Sequence, residues 1–227
     1  MKALIIGAEF QNVGGFCASR MRIAGYTVSK PHYPTFDISD PVAVADYDLS
    51  DYQHLVLCNG YAQVSDLREQ PYAQITKIIF DNLIGSIYMT KKFLQDTSST
   101  EGPKRVVTIG SHSAEWPNRW LGPYCAAKAG LNQFVKCMQR EWGGQDYYFF
   151  CINPGPIVDT NFQNMMVKET SALMKIEPED VITMVETRSG INKQLTAKEV
   201  GSFAAQLACG KFDWLAGNPI PFTGGQR

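Results

Sequence analysis

Five short, mainly apolar segments constrain the fold of this chain more than any other feature of its sequence. They lie at residues 3–6, 26–28, 54–58, 105–109 and 147–152. Each has the length and composition that are typical of a strand buried on both faces of a sheet. Because a sheet buried on both sides needs covering layers, the pattern favours an α/β protein.

Helix-like stretches separate most of these segments. Between Tyr72 and Leu94, the large aliphatic residues recur at intervals of three and four, at Ile75, Ile78, Ile79, Leu83 and Ile87. A second helix is predicted from about Pro123 to Trp142. Strands that alternate with helices predict a parallel sheet covered on both faces, which is a three-layer α/β architecture.

The segment after the second predicted strand is too short for a complete crossover. A parallel crossover needs about a dozen residues or more, and residues 30–37 provide far fewer. We therefore expect one peripheral helix to be missing and the adjacent edge strand to be absent or vestigial. Residues 37–40 would then form a loop across the carboxyl ends of the strands, where open α/β sheets bind ligands.

Charge and composition exclude several classes of function. The chain has 21 basic and 22 acidic residues, a formal net charge of −1, so no overall field attracts nucleic acid or an anionic membrane. No apolar run approaches the roughly 18 residues of a membrane span, and the N-terminal apolar stretch is too short for a signal peptide. The six cysteines form no C-x-x-C pair and the three histidines have no ligand-like spacing. We expect one cytoplasmic domain over residues 1–227, with no metal site.

The first predicted strand leads through a glycine-containing turn into a predicted helix. Gly7 and Gly14 lie within this turn. Glycine lets backbone approach a pyrophosphate closely, and a helix N-terminus offers unpaired N–H groups and a favourable dipole. The turn therefore indicates a nucleotide site, with a purely structural turn as the alternative. No G-x-x-x-x-G-K-[ST] motif occurs, which excludes a P-loop.

Tyr124 and Lys128 form the strongest candidate for chemistry. Because they are four residues apart, both side chains should lie on one face of a helix. A nearby positive charge favours the phenolate of a tyrosine. Such a phenol can exchange a proton with a carbinol oxygen while a hydride moves to or from nicotinamide. An isolated Tyr-x-x-x-Lys pair is weak evidence, since surface helices contain many such pairs.

Two further polar residues stand where a site would need them. Ser111 follows the predicted strand at residues 105–109, at the end where open α/β sheets place their sites. It could bind the reacting oxygen, or it could serve as an N-cap or turn residue. Asn82 lies on the apolar stripe of a predicted helix. It could support a water or a backbone carbonyl near Lys128, or it could close an irregularity of that helix.

Taken in order, these motifs resemble the short-chain dehydrogenase/reductase family along nearly the whole chain. Residues 7–14 resemble its T-G-x-x-x-G-x-G turn, residues 58–60 its N-N-A-G segment, and Asn82 its helix asparagine. Ser111, with Tyr124 and Lys128, matches its serine and its Y-x-x-x-K pair. Residues 153–160 resemble its P-G stretch and following threonine, and residues 216–225 resemble its last strand.

The resemblance implies a Rossmann-like, doubly wound fold and an NAD(P)-dependent oxidoreductase. The reaction would transfer a hydride between nicotinamide and a carbonyl or secondary alcohol. Tyr124 would be the general acid/base, Lys128 would lower its pKa and bind the nicotinamide ribose, Ser111 would orient the carbonyl, and Asn82 would support a proton relay. A homodimer or homotetramer, formed through the helices of Asn82 and Tyr124, is also implied.

By the same resemblance, a set of residues should surround the cofactor. They are Gly7, Asn12, Val13, Gly14, Lys30, Asp37, Ile38, Asn59, Gly60, Tyr124, Lys128, Pro154, Gly155, Ile157 and Thr160. The glycine turn departs from the family pattern, because it has one extra residue and Asn12 replaces the middle glycine. We therefore expect the pyrophosphate to sit differently or to bind less tightly.

The residues after the second predicted strand bear on the choice of cofactor. An acidic residue there would bind an NAD ribose and repel a 2′-phosphate, but this chain has Ser29 and Lys30. Lys30, together with His32, favours NADP. Lys30 could also be an ordinary solvated lysine, and Asp37 could reach the ribose across the short loop and restore NAD.

Aromatic and methionine residues after Ser111 and after Asn161 predict a pocket for an apolar or ring-bearing carbonyl compound. The stretch after Ser111 contributes His112, Trp116, Trp120 and Leu121, and the stretch after Asn161 contributes Phe162, Met165, Met166 and Met174. The same residues could form a lid or a subunit contact. The rival function is a non-catalytic nucleotide-sensing or scaffold protein on the same fold. A sugar-nucleotide epimerase or dehydratase usually needs a larger C-terminal domain.

Overall fold

The computed structural model describes residues 1–9, 11–158, 160–186, 190–191 and 193–225, and all statements below refer to them. The strands are β1 (Lys2–Ile6), β2 (Thr27–Ser29), β3 (His54–Leu57), β4 (Lys104–Ile109), β5 (Tyr147–Pro154), β6 (Ile157–Val158), β7 (Leu195–Thr196) and β8 (Pro219–Phe222). Six of them form a parallel sheet in the order β2-β1-β3-β4-β5-β8, and β6 pairs with β7 separately.

Helices connect these strands. They are α1 (Val13–Ile23), α2 (Pro41–Asp46), α3 (Tyr72–Ile79), α4 (Gly85–Thr97), α5 (Gly122–Trp142), α6 (Asn161–Met174), α7 (Pro178–Glu186) and α8 (Ala197–Ala208). A π-helical turn, Phe80–Ile84, joins α3 to α4 without a break. Thr196 caps α8 in a capping box with Glu199, which satisfies N–H groups that have no intrahelical acceptor.

Two apolar layers hold the helices onto the sheet. Alternate residues of a strand point to opposite faces, so Leu4 and Ile6 pack with residues of α4 and α5. Ala3 and Ile5 pack with residues of α1 and α8 on the other face. The predicted doubly wound, three-layer architecture is confirmed.

The β2 edge is as short as the sequence predicts. β2 has 3 residues and α2 has 6, so only a remnant of a covering helix follows the edge strand. In the described part of the chain, the sheet ends at β2. The loop at residues 37–40 folds back on the protein, because Ile38 is buried against Gly85 at the start of α4.

None of the helices in the described ranges is long and apolar enough to cross a membrane.

Candidate active site

A cavity of about 770 Å³ opens at the carboxyl ends of the parallel strands. Its walls come from the turn after β1, the segments that follow β3, β4 and β5, the first turns of α5, and the helices α6 and α7. A crevice at this end of an open parallel sheet is where such folds bind ligands. Because a different strand or helix supplies each wall, residues distant in sequence meet in one cavity.

Ser111 enters the cavity from the end of β4. It is 7% exposed, its Oγ accepts a hydrogen bond from the N–H of Ser113 at 3.1 Å, and its own N–H donates to Oδ1 of Asn153 at 3.2 Å. It is the N-cap of the short 3₁₀ turn His112–Ala114. The structure therefore gives Ser111 the capping role and a place in the cavity wall together.

Tyr124 and Lys128 project from the first turns of α5. Both are buried, at 7% and 3% exposed, and Nζ of Lys128 lies 5.8 Å from the centroid of the Tyr124 ring. The ammonium donates a hydrogen bond to the carbonyl oxygen of Ile109, the last residue of β4, at 2.8 Å. This bond fixes the lysine head group at the end of β4, near the tyrosine ring.

Burial controls the pKa values of this pair. It raises the pKa of Tyr124 to about 12, and a hydrogen bond from the Ser111 hydroxyl opposes the rise. Burial lowers the pKa of Lys128 to about 8, since a low-dielectric site disfavours the charged form of a lysine. In this structure a hydrogen bond from Ser111 acts to lower the pKa of Tyr124, while the expected effect of the Lys128 charge on that pKa remains a prediction.

Asn82 sits in the π-helical turn between α3 and α4. Its Nδ2 donates to the carbonyl oxygens of Ile78 at 2.8 Å and Tyr61 at 2.5 Å. Its Oδ1 is buried without a partner, and a Cβ atom added to Gly60 would lie 3.1 Å from this oxygen and 3.7 Å from Nζ of Lys128. Asn82 thus closes the helix irregularity and also leaves an acceptor near Lys128.

At the other end of the cavity, Asn12 occupies the glycine turn. Its Oδ1 accepts hydrogen bonds from the N–H groups of Glu9 at 3.1 Å and Gly15 at 2.8 Å, and its Nδ2 donates to the carbonyl oxygen of Gly7 at 2.9 Å. The asparagine is the N-cap of α1. Two N–H groups that could otherwise bind a phosphate are therefore already occupied.

The glycines around this turn permit the close packing that a dinucleotide site requires. Gly7 has φ +73, and a Cβ there would lie 2.8 Å from the carbonyl of Cys58. A Cβ on Gly14 would lie 2.6 Å from the carbonyl oxygen of Gly7. The start of α1 consequently lies directly against β1 and forms one end of the cavity. The residues present fit a dinucleotide, with Asn12 as the departure.

Most of the predicted site residues line the same cavity. They are Gly7, Asn12, Val13, Gly14, Asn59, Gly60, Ser111, Tyr124, Lys128, Pro154, Gly155, Ile157 and Thr160. Phe10 of the turn and Asp159 of the segment after β5 lie outside the described residues.

Four predicted site residues, Lys30, Asp37, Ile38 and Asn82, lie outside the wall of this cavity, and their roles toward a cofactor or a proton relay remain predictions. Lys30 is exposed beyond the short β2. Oδ1 of Asp37 accepts hydrogen bonds from the N–H of Ser39 at 2.8 Å and its hydroxyl at 2.7 Å. Ile38 is buried under α4, and Asn82 is fully buried behind Gly60.

The substrate end of the cavity is mainly apolar. Of the predicted contacts, the wall contains His112, Trp120, Leu121, Phe162, Met166 and Met174. The rings of Phe162 and Tyr124 are 5.8 Å apart between centroids. Trp116 and Met165 are not part of the wall. Trp116 is 53% exposed, and Met165 packs against the apolar cluster that contains Leu121.

Several wall residues were missed by the sequence analysis. Val181, Met184 and Val185 of α7 form the far side, and Glu9, Asn118 and Arg119 add polar groups. The spacing of the three α7 residues is that of one helical face, so periodicity could have revealed them. Glu9 and Asn118 have no such local signal.

The comparison with protein families identifies the class of this chain. The family model described as short chain dehydrogenase matches residues 35–171, which is more than half of the 227 residues. The chain therefore belongs to the short chain dehydrogenase family.

Two curated relatives are similar to part of the chain. The vibriobactin-specific 2,3-dihydro-2,3-dihydroxybenzoate dehydrogenase of Vibrio cholerae serotype O1 is 28% identical over 125 residues, which cover 52% of this chain and 47% of that protein. Benzil reductase ((S)-benzoin forming) of Bacillus cereus is 29% identical over 119 residues, 51% of this chain and 47% of that protein. The chain spans about half the length of these relatives.

Solved structures agree with the fold over the full length. Sorbitol-6-phosphate 2-dehydrogenase from Erwinia amylovora superposes with a TM-score of 0.88 at 18% identity and covers 99% of both chains. A short chain dehydrogenase family protein from Francisella tularensis superposes with a TM-score of 0.85 at 16% identity, covering 99% of this chain and 97% of that one. At such identities the likeness concerns the fold.

Proposed function

We propose that this protein is an NAD(P)-dependent oxidoreductase that transfers a hydride between nicotinamide and a carbonyl compound or secondary alcohol. One observation carries the proposal: Ser111, Tyr124 and Lys128 line the same end of a cavity whose other end is the glycine turn. Membership of the short chain dehydrogenase family supports it.

The three side chains have distinct roles in this proposal. In carbonyl reduction, Tyr124 donates its phenolic proton to the carbonyl oxygen, and its high pKa keeps that proton in place at neutral pH. Ser111 donates its hydroxyl proton as a hydrogen bond to the same oxygen and so places it beside the phenol. Lys128, charged below a pKa of about 8, favours the phenolate that remains. The bound nicotinamide supplies or accepts the hydride.

We assign NADP rather than NAD as the preferred cofactor. Lys30 is exposed just beyond the end of β2, where a cation attracts a 2′-phosphate. The carboxylate of Asp37, the residue that could restore NAD, is engaged in its own turn with Ser39. Similar proteins include users of either cofactor, such as the NADPH-dependent aldehyde reductase 2 of Arabidopsis thaliana and the NADH-dependent L-xylulose reductase of Ambrosiozyma monospora.

The substrate is proposed to be an apolar or ring-bearing carbonyl compound. Trp120 and Leu121 pack in the same apolar cluster as Tyr124, the Phe162 ring lies 5.8 Å from the Tyr124 ring, and Met166 and Met184 line the same cavity. Aromatic and thioether side chains accommodate flat apolar molecules. The name of the Bacillus cereus relative, benzil reductase, agrees with this class.

The test is a turnover assay with purified protein. NADPH or NADH is supplied with benzil and, as a matched control, with a small aliphatic aldehyde, and loss of the reduced cofactor is followed. We expect turnover with NADPH and benzil at the highest kcat/KM. If none of the four combinations shows turnover above a protein-free blank, while the folded protein still binds cofactor, the assignment of the activity is wrong.

A nucleotide-sensing or scaffold protein is the second candidate, because Asn12 occupies N–H groups of the glycine turn. Titration of NADPH and NADH, followed by cofactor fluorescence, separates the two functions. Submillimolar binding together with turnover supports the enzyme. Binding without turnover supports the sensor, and no binding of either nucleotide supports a scaffold.

A further inference from the structure

Asn153 lies close to the end of β5, and its side chain contacts the residues that follow β4. Its side chain is buried, at 1% exposed, and a buried amide is costly unless it is hydrogen-bonded. Its Oδ1 accepts the hydrogen bond from the N–H of Ser111 at 3.2 Å. Asn153 is not part of the cavity wall. Its Oδ1 also accepts from the Cys151 thiol at 3.6 Å and its Nδ2 donates to Oε1 of Glu115 at 3.5 Å, so the hydrogen bond to Ser111 is the shortest of the three.

Gly110, the residue before Ser111, leaves room for the Asn153 amide because it has no side chain. A Cβ atom on Gly110 would overlap with Oδ1 of Asn153 and would lie 2.8 Å from Sγ of Cys151. Glycine at this position therefore leaves the space that the amide fills. The backbone of Gly110 is also tied to β5, because its N–H donates to the carbonyl oxygen of Ile152 at 2.7 Å. The N–H groups of Gly110 and Ser111, which follow β4, are thus both hydrogen-bonded to residues of β5.

The anchoring determines what the Ser111 hydroxyl can do. A serine hydroxyl has one proton to donate and two lone pairs to accept with. The N–H of Ser113 occupies one lone pair at 3.1 Å, which leaves the proton for the phenol oxygen of Tyr124 or for an oxygen of a bound substrate. Because the Ser111 N–H is held by Asn153, the backbone has little freedom to carry the hydroxyl away from Tyr124.

We propose that Asn153 is a positioning residue for Ser111: its amide oxygen holds the Ser111 backbone so that the hydroxyl stays beside Tyr124 and the reacting oxygen. This inference rests on the proposed oxidoreductase function. A misplaced hydrogen-bond donor weakens transition-state stabilisation more than it weakens cofactor binding. The amide therefore acts on kcat.

Three variants separate positioning from general stability. Asn153→Leu removes the acceptor at similar volume. Asn153→Asp keeps an acceptor oxygen in either protonation state. Asn132→Leu is the matched control, because Asn132 is a buried amide, 6% exposed, that contacts the same strand through the thiol of Cys151 at 3.1 Å and makes no hydrogen bond to Ser111.

Turnover is measured per bound cofactor, so that unfolded protein does not count. For Asn153→Leu we expect kcat to fall by about tenfold or more, the size of a lost or misplaced hydrogen bond in the transition state, with the NADPH dissociation constant within about threefold. Asn153→Asp should recover most of kcat, and Asn132→Leu should stay close to wild type. Equal kcat for the two leucine variants, or an aspartate variant as impaired as Asn153→Leu, would overturn the proposal.

A second measurement is independent of turnover. Hydrogen exchange of the Ser111 amide should be about tenfold faster in Asn153→Leu and near wild type in Asn153→Asp and Asn132→Leu, whereas unchanged exchange in Asn153→Leu contradicts the proposal. If Asn153→Leu does not fold, Asn153→Ser, too short to reach the amide, takes its place. If the Ser111 amide of the wild-type protein is protected from exchange but the protein shows no turnover, the proposed function is wrong. The hydrogen bond between Asn153 and the Ser111 amide would still be supported.

Discussion

The two ends of the cavity differ in how they are built. The reacting end lies on β4, β5 and the 21-residue helix α5, and its groups are 7% exposed or less and held by hydrogen bonds. The nucleotide end rests on the 3-residue β2, an exposed Lys30 and a turn occupied by Asn12. The contrast teaches that this chain fixes its proposed chemistry through the central sheet and leaves cofactor recognition to short, exposed segments.

The largest effect should come from the reacting end, with Tyr124→Phe. The ring that packs against Phe162 is kept, but the phenolic proton next to Ser111 is lost. We expect kcat to fall by about 10³-fold, within the usual range for a lost general acid, while the NADPH dissociation constant changes by less than about threefold. Steady-state turnover and fluorescence titration measure the two quantities. Retained turnover would reject Tyr124 as the acid.

Lys128 provides the next largest effect and a pH signature. Because its pKa is lowered to about 8, the ammonium is charged below that pH and neutral above it. Carbonyl reduction that relies on this charge should therefore decline as pH rises through about 8. Lys128→Met should lower kcat by about 10²-fold and abolish this limb. Lys136→Met, an exposed lysine of the same helix, should keep it. If the decline in turnover above about pH 8 persists in Lys128→Met, that decline comes from the titration of another group.

The same contrast explains which features could be predicted from the sequence. Strands β1 to β5, α5 and the shortened β2 edge follow from local patterns of apolar residues and chain length. The common position of Ser111, Tyr124 and Lys128 follows because parallel strands and the helix after β4 bring their ends to one side of the sheet. Each of these inferences depends on short-range periodicity and one topological rule.

Other features depend on contacts that local patterns do not encode. The amide of Asn153 meets the N–H of Ser111 across two strands, and the π-helical turn at Asn82 interrupts a periodicity that predicts one continuous helix. Ile38 could not be placed by its neighbours in sequence, since its burial depends on Gly85. These positions are determined by tertiary packing.

At the nucleotide end, Lys30→Ala tests cofactor choice. A charge-assisted contact with a 2′-phosphate contributes about 1.5 kcal/mol, so the NADPH dissociation constant should rise by about tenfold while that of NADH stays unchanged. Lys91→Ala, an exposed lysine on α4, is the control. Fluorescence titration of both cofactors gives the ratio. An unchanged ratio would remove Lys30 from the site and favour Asp37 and NAD.

Asn12→Gly should have the smallest effect and an unusual sign. The substitution releases the N–H groups of Glu9 and Gly15 for phosphate oxygens, so NADPH should bind about three times more tightly. Exchanging an asparagine N-cap for glycine costs only a few tenths of a kcal/mol of stability. Asn12→Asp should instead weaken binding, since it adds a negative charge beside the pyrophosphate site. If Asn12→Gly binds NADPH more weakly than wild type, the asparagine is part of the cofactor site, and the two ends of the cavity are then equally well adapted to their ligand.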